Sequence, residues 1–267
     1  MRVTHVDSQC VVSSEGCTQN LNSSLARGLP LCSPLPERIG HLAIVGSGPS
    51  VREHIDELRE WPGDIWTING AYHYLLGHNI VADGFIGVDP LPGLAEYVEH
   101  SHPETTFYIS GLCDPAVFDA LRVRDVRTWF PEQDTVKFPG GIWLVGGGTT
   151  AVTRAPLLAK MLGWRDITIF GADCSFEESR YCYEHGTFRE DSKAPINWVV
   201  VNKEGPFPTE LGLLKQASQL AVIQQGFNGR LSFKCGGLLD AYLRAPMMDE
   251  SLIDAMRNHE TANSDAA

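Results

Sequence analysis

The sequence predicts an α/β fold with a doubly wound, mainly parallel sheet and helices on both faces of that sheet. Between residues 39 and 245, short apolar runs of strand length alternate with segments of helical periodicity, which is the pattern of successive β-α units. Two strand-to-helix junctions, Gly46–Ser50 and Gly146–Thr150, are rich in glycine. Together these observations predict a Rossmann-like domain in which the carboxyl ends of the strands meet at one edge.

The first half of the chain supplies five predicted strands and the helices between them. Val51, Ile55 and Leu58 share one helical face, and Pro62-Gly63 ends that helix. The other predicted helices of this half are Ala71–Leu76, Leu91–His100 and a short one near Pro115–Leu121. The predicted strands are His41–Val45, Ile65–Ile68, Ala82–Val88, Thr106–Ser110 and Val126–Phe130.

The second half repeats the strand–glycine turn–helix pattern. Ile142–Val145 is a predicted strand, and Val152–Leu162 is a predicted helix that Pro156 is expected to kink. Thr209 is a predicted N-cap for the helix Glu210–Gln225. The remaining predicted core elements are Arg165–Phe170, Asn197–Val201, Arg230–Cys235 and Leu238–Leu243.

Both ends of the chain lack this pattern. Residues 1–38 are rich in Ser, Cys, Asn and Pro, which predicts a loosely ordered N-terminal extension. Residues 246–267 are predicted to form a C-terminal helix and an acidic tail. The expected organisation is therefore an extension, a Rossmann-like domain at 39–245 and a short tail.

The amino-acid composition excludes several classes of function. The 267 residues include 43% hydrophobic and 20% charged residues, so the core needs no metal or disulfide to fold. The net charge of −12 and the absence of a basic stripe argue against a nucleic-acid partner. No apolar run reaches the length of a membrane span. Seven cysteines without a CxxC pair, and no apolar leader segment, favour a reduced cytoplasmic protein. The sequence is compatible with a homo-oligomer as well as with a monomer.

The turn Gly46-Ser47-Gly48-Pro49-Ser50 is the first candidate for binding a nucleotide phosphate. Glycines let the backbone approach an anion, Pro49 fits the start of a helix, and the two serines can donate hydroxyl groups. The turn lacks the third glycine of GxGxxG and the Lys of a P-loop. The alternative interpretation is a tight structural turn. If the turn binds phosphate, Gly48→Val is expected to abolish nucleotide binding while leaving the fold largely intact.

The turn Gly146-Gly147-Gly148-Thr149-Thr150 is the second candidate. Its glycines also permit a close backbone approach, and its threonines are suited to bind a ligand or to cap the following helix. Helix capping alone is the alternative interpretation.

Three polar residues follow predicted strands: Asn69, Asp89 and Asp173. An Asp at such a position is able to hold a ribose hydroxyl, coordinate Mg²⁺ or act as a base, although turn formation and helix capping are the commoner roles. In the polar loop Cys174–Lys193, His185 is a candidate general acid or base, with a surface histidine as the alternative. Cys174, Cys182 and His185 lack a fourth ligand for structural zinc.

The order of several motifs resembles a known family. LAIVGSGPSV, TINGAYHYLL, GVDP and GGGTTAVTRAPLLAKMLGWRDITIFGADCSF follow one another in the chain. Across residues 41–243 they resemble the MptE-like 6-hydroxymethylpterin diphosphokinase family, which also covers motility-associated flagellin glycosyltransferases. The same order is similar to bacterial lipooligosaccharide sialyltransferases, with Ser47 in place of an Asn.

The resemblance to the sialyltransferases implies roles for individual residues. Gly46–Ser50 and Asn69 would meet the nucleotide, Thr149 and Thr150 its phosphate or base, and Asp173 would close the site. His185 lies twelve residues after Asp173, which departs from the position of the catalytic histidine in that family.

The resemblance and the glycine turns together imply a transferase with an activated nucleotide donor. In one version, ATP donates pyrophosphate to a hydroxymethyl acceptor such as a pterin, and Mg²⁺ is held partly by Asp89 or Asp173. In the other version, a nucleotide sugar is the donor, and a base such as His185 deprotonates a hydroxyl of a small-molecule or glycan acceptor. A third hypothesis is that the protein is a nucleotide-binding module without catalytic activity. An NAD-dependent oxidoreductase is disfavoured because Asn69 stands where an acid is needed, about 20 residues past the turn.

Overall fold

A parallel sheet forms the centre of the molecule in the computed structural model, which describes residues 12–177, 197–201 and 204–244. The described strands are β1 (His41–Val45), β2 (Asp64–Ile68), β3 (Gly84–Gly87), β4 (Thr106–Ser110), β5 (Asp125–Pro131), β6 (Leu144–Val145), β7 (Asp166–Phe170), β8 (Asn197–Val201), β9 (Glu204–Thr209) and β10 (Leu231–Lys234). Eight of them form one sheet in the order β10-β7-β1-β2-β3-β4-β5-β6, and every pair is parallel. β8 and β9 form a separate antiparallel pair.

Helices cover both faces of the sheet. They are α1 (Ser14–Ala26), α2 (Ile55–Arg59), α3 (Ala71–Gly77), α4 (Pro115–Ala120), α5 (Ala151–Met161), α6 (Leu211–Gln225) and α7 (Gly237–Arg244), with 3₁₀ helices at Pro49–His54 and Pro92–Tyr97. Residues of α2, α3 and α4 join the core on one face, and residues of α5, α6 and α7 join the core on the other. The predicted Rossmann-like α/β fold is confirmed.

Strand β1 shows why the strands were recognisable as apolar runs. Leu42 and Ile44 lie in one core, while Ala43 and Val45 lie in the other, and all four are fully buried. Successive side chains of a strand point to opposite faces, so a strand covered on both faces needs apolar residues at every position.

The chain changes direction across the sheet at β1. From β1 it runs outward through β2 to β6, and it then returns to the other side of β1 to form β7. This reversal separates the loops that leave β1 and β7 and opens a crevice at the carboxyl ends of the strands.

Several predicted elements differ in detail from the observed ones. The predicted helix Leu91–His100 is a shorter 3₁₀ helix, and the predicted strand Ile142–Val145 is reduced to β6. β8 does not join the main sheet, and its partner β9 was not predicted because two prolines interrupt the strand pattern. α5 continues through Pro156 from Ala151 to Met161.

The N-terminal segment is more ordered than the sequence predicts. Within residues 12–38, α1 begins after Ser13, whose Oγ accepts from the Gly16 amide at 3.1 Å. Asn20 Nδ2 donates to the carbonyls of Pro90 (3.2 Å) and Leu112 (3.0 Å). Because these anchors are small polar side chains, hydrophobic periodicity did not reveal them. Residues 1–11 and the predicted tail at 246–267 lie outside the described residues.

Two further expectations concern the cysteines and the membrane. Cys17, Cys32, Cys113, Cys174 and Cys235 are present as thiols and not in disulfides. None of the helices that the structure describes combines the length and apolar character needed to cross a bilayer.

Candidate functional site

A cavity of about 200 Å³ lies at the carboxyl ends of β7, β1 and β2, where the chain reverses across the sheet. Its walls come from the loops that leave these strands, from the start of α5 and from one face of α6. The lining residues are Gly46–Gly48, Ile68–Gly70, Tyr97, Thr150–Val152, Gly171–Phe176, Leu213 and Gln216. Ligands of open parallel sheets bind in this crevice, which makes the cavity the candidate functional site.

Three amides of the first glycine turn donate to other parts of the protein. Gly46 N donates to Phe170 O at 2.8 Å, and Gly48 N donates to Gly171 O at 2.7 Å. Ser50 N donates to Asp173 Oδ2 at 2.9 Å, and Pro49 has no N–H. These three amides are therefore not presented to a phosphate, although Gly46, Ser47 and Gly48 line the cavity.

The two glycines of this turn are required by packing. A Cβ on Gly48 would overlap the Asp173 carboxylate and would lie 2.5 Å from Gly171 O. A Cβ on Gly46 would lie 2.8 Å from the same carbonyl oxygen. The close approach that glycine permits is thus made to the loop after β7. The expectation that Gly48→Val leaves the fold largely intact is wrong, because valine has no space there.

Asp173 is almost fully buried, with 2% of its surface exposed, and both of its carboxylate oxygens accept hydrogen bonds. Oδ2 accepts from Ser50 N, and Oδ1 accepts from Ser50 Oγ at 2.5 Å and from Gly236 N at 2.6 Å. A carboxylate with three donors already on its oxygens is poorly disposed to serve as a base or a metal ligand.

Asn69 lies in the cavity wall directly after β2, with a positive φ of 49°. Its Oδ1 is buried and has no hydrogen-bond partner among the described residues. A buried acceptor without a donor costs free energy, and native structures seldom leave one unsatisfied. Asn69 therefore combines a place in the cavity wall with a side-chain acceptor that no described donor satisfies.

The second glycine turn positions the start of α5 against the cavity. Thr150, Ala151 and Val152 line it, and the first amides of a helix have no partners within the helix. The approach to the helix is fixed by two bonds: Thr149 N donates to Gln219 Oε1 and Thr150 N donates to Thr153 Oγ1, each at 3.1 Å.

Gly147 and Gly148 do not line the cavity but shape this approach. Gly147 has a φ of 119°, and a Cβ on Gly148 would collide with Gln219 Oε1. Behind the turn, the buried guanidinium of Arg154 donates to Val145 O at 2.7 Å and to Glu132 O at 3.1 Å. Burial lowers the pKa of Arg154 to about 10.

The structure does not bring the predicted magnesium ligands together. Asp89 caps the following turn by accepting from Leu91 N at 2.9 Å and does not line the cavity. Asp89 follows β3 and Asp173 follows β7, three strand spacings away in the sheet order, or roughly 14 Å. No cluster of three or more His, Cys, Asp or Glu occurs among the described residues. Asp89 and Asp173 therefore do not hold one magnesium ion between them, and the ion itself stays a prediction.

Charge is scarce in the described part of the cavity wall. Among the lining residues, Asp173 is the only Asp, Glu, Lys, Arg or His. His185, the predicted general acid or base, lies outside the described residues.

Several lining residues were not identified from the sequence. Tyr97 comes from a 3₁₀ helix, and Leu213 and Gln216 come from α6, more than 100 residues later in the chain. The Gly236 amide reaches Asp173 from the turn before α7. Their positions carry no local motif, because only the tertiary fold brings them to the cavity.

A protein-family model matches the part of the chain that contains this site. Residues 20–179 match the model of the family described as 6-hydroxymethylpterin diphosphokinase MptE-like. The chain belongs to the MptE-like family. The match covers the first glycine turn, Asn69, the second glycine turn and Asp173. The family takes its name from a diphosphokinase, which is an enzyme of the transferase class.

Solved structures show the same fold. The MAf glycosyltransferase from Magnetospirillum magneticum AMB-1 superposes with a TM-score of 0.63 at 20% sequence identity. The alignment covers 86% of this chain and 38% of the glycosyltransferase chain, so the MptE-like protein spans less than half of that structure. No curated protein sequence matches the chain.

Proposed function

We propose that this MptE-like protein is a glycosyltransferase that binds a nucleotide sugar in the cavity at the ends of β7, β1 and β2. The supporting observation is the composition of the described wall, which offers helix-start amides and neutral polar groups but no cation and no metal site. A nucleoside monophosphate sugar suits this wall best, because it carries a single phosphate.

The charge of the described wall favours one of the candidate donors. Transfer of pyrophosphate from ATP concentrates charge on three phosphates, and enzymes neutralise it with Mg²⁺, Lys or Arg. The described lining residues supply none of these. A single phosphate, by contrast, is a charge that the amides at a helix start accommodate without a metal. Ala151 and Val152 line the cavity, and their amides, which have no partners within α5, are suited to receive it.

In this proposal, different residues bind the phosphate and the nucleoside of the donor. The start of α5 holds the leaving phosphate, and Asn69 Oδ1 accepts from a hydroxyl or amino group of the nucleoside. The acceptor hydroxyl must lose a proton to a base. His185 is the proposed base, as the sequence predicts. The neighbouring solved structure, a glycosyltransferase of the same fold, supports this reaction class.

A second candidate is pyrophosphate transfer from ATP to a hydroxymethyl acceptor such as a pterin. The family description, which names a 6-hydroxymethylpterin diphosphokinase, favours it. This reaction would call on ligands for magnesium that the described residues do not assemble.

A thermal-shift panel separates these functions. The panel contains CMP-, UDP- and ADP-sugars and ATP, each with Mg²⁺ or with EDTA, followed by chromatography for released CMP, UDP, ADP or AMP. We expect selective stabilisation by a CMP-sugar that EDTA does not abolish. Stabilisation by ATP only with Mg²⁺, together with AMP release, would favour the diphosphokinase. Binding without turnover would indicate a non-catalytic module.

Asn69→Ala tests the place of the nucleotide. The loss of one acceptor is expected to weaken binding of the stabilising nucleotide by roughly tenfold. Asn79→Ala is the matched control, because Asn79 is exposed and also has a positive φ, of 59°. Equal affinities of the two variants in calorimetry would contradict this placement.

A further inference from the structure

The geometry points to Asp173 as a built-in anion of the first glycine turn, and we infer that it is a positioning residue rather than a base or a metal ligand. The carboxylate occupies the place at which the sequence predicts a nucleotide phosphate. This inference does not depend on which donor the cavity binds.

The hydrogen bonds of Asp173 define this role. Ser50 contributes both its amide and its hydroxyl, and Gly236 contributes its amide. The backbone carbonyl of Asp173 also accepts from Leu239 N at 3.0 Å. One buried residue therefore ties together the turn after β1, the loop after β7 and the start of α7.

The first turn is built around this carboxylate. The absence of a side chain on Gly48 leaves the space that the carboxylate fills. The Ser50 amide, which a phosphate-binding turn would offer to its ligand, is instead satisfied by Oδ2. A second anion at that point would meet the Asp173 charge at close range and would be repelled. A donor phosphate is consequently directed across the cavity to the start of α5.

Anion rescue tests the inference directly. Asp173→Ala removes the carboxylate and leaves three donors facing a space of about the size of a formate ion. We expect a lower Tm than that of the wild type, and sodium formate should raise the Tm of the variant by at least about 2 °C more than sodium chloride of equal ionic strength does. Wild-type protein should show no such difference.

Asp166→Ala is the matched control, because Asp166 is a half-exposed carboxylate on β7 that pairs with Arg230 across the surface. Formate should give this variant no advantage over chloride. If formate and chloride act equally on Asp173→Ala, Asp173 is not a replaceable anion and the inference is overturned.

Asp173→Asn keeps the inference testable if the alanine variant does not fold. The amide retains one acceptor for the Ser50 amide, but its NH₂ group cannot accept from Gly236 N. We expect a lower Tm, and a pH–rate profile of donor turnover that keeps its ascending limb. Loss of that limb would assign Asp173 as the base, and a variant that needs at least about tenfold more Mg²⁺ than the wild type for half-maximal turnover would assign it as a metal ligand.

Discussion

A glycine in a strand-to-helix turn admits a close approach, but the residue itself does not reveal what approaches it. At Gly48 the neighbours are the Asp173 carboxylate and Gly171 O, so the turn serves the packing of β1 against β7. Gly48 has ordinary extended backbone angles, φ −72° and ψ 150°. The requirement for glycine at this position is therefore steric and owes nothing to backbone freedom.

Gly48→Ala isolates this steric requirement. Alanine tolerates the backbone angles, but its Cβ would press on two oxygen atoms, so we expect the free energy of unfolding to fall by about 1–3 kcal/mol. Gly140→Ala is the control, because no atom lies within 4 Å of its added Cβ, and its effect should stay within about 0.5 kcal/mol. Urea denaturation measures both, and equal stabilities would show that the turn relaxes freely.

At the scale of single elements, burial determined what the sequence could predict. β1 and β4 have the bounds that their apolar runs predict, because both faces of these strands are buried. α6 begins one residue later than predicted and ends at Gln225 as predicted. α1 and β9 escaped prediction, since α1 buries only Cys17, Leu21 and Ser24 of its 13 residues and prolines interrupt β9. Local pattern therefore predicts elements that bury an apolar face.

The start of α5 is the element on which the proposed phosphate contact depends. Thr153 Oγ1 accepts from Thr150 N and donates to Thr150 O at 2.8 Å, which fixes the first turn of the helix. Thr153→Val keeps the shape and removes these two bonds together with the 3.2 Å hydrogen bond to Thr150 Oγ1, so we expect a loss of about 1 kcal/mol of stability. Thr18→Val on the exposed face of α1 is the control, with an expected change within about 0.5 kcal/mol. A Thr153→Val variant as stable as wild type in urea would contradict this capping role.

At the scale of the whole molecule, the cavity is a product of chain reversal. Ser50 and Asp173 are 123 residues apart in the sequence, and Thr149 and Gln219 are 70 apart. The sequence predicted which strand-end loops carry polar residues and that they share one edge of the sheet. It did not predict their mutual contacts, because a one-dimensional pattern does not show whether the acceptor facing Ser50 is a ligand or a residue of another loop. The same limit applied to Asp89, which shares the edge but lies too far along it.

The N-terminal helix joins this edge through a small core of its own. Cys17 and Leu21 of α1 pack with Leu112, Phe130 and Val136, next to the ends of β4 and β5. Ser24 Oγ donates to Gly111 O at 2.8 Å, which adds a polar tie to the same region. The helix is thereby part of the domain, and disrupting its packing should lower the stability of the whole sheet.

Leu21→Ala tests whether α1 unfolds together with the sheet. Leu21 is 2% exposed, and truncation of a buried leucine costs about 2–5 kcal/mol. Leu35→Ala is the control, because Leu35 is 46% exposed and its truncation should cost less than about 0.5 kcal/mol. Tryptophan fluorescence and far-UV circular dichroism in urea should report one coincident transition, shifted to lower urea only in Leu21→Ala. An unchanged fluorescence midpoint with an early loss of helical signal would mean that α1 melts separately, because the tryptophans of the sheet core would then not sense its departure.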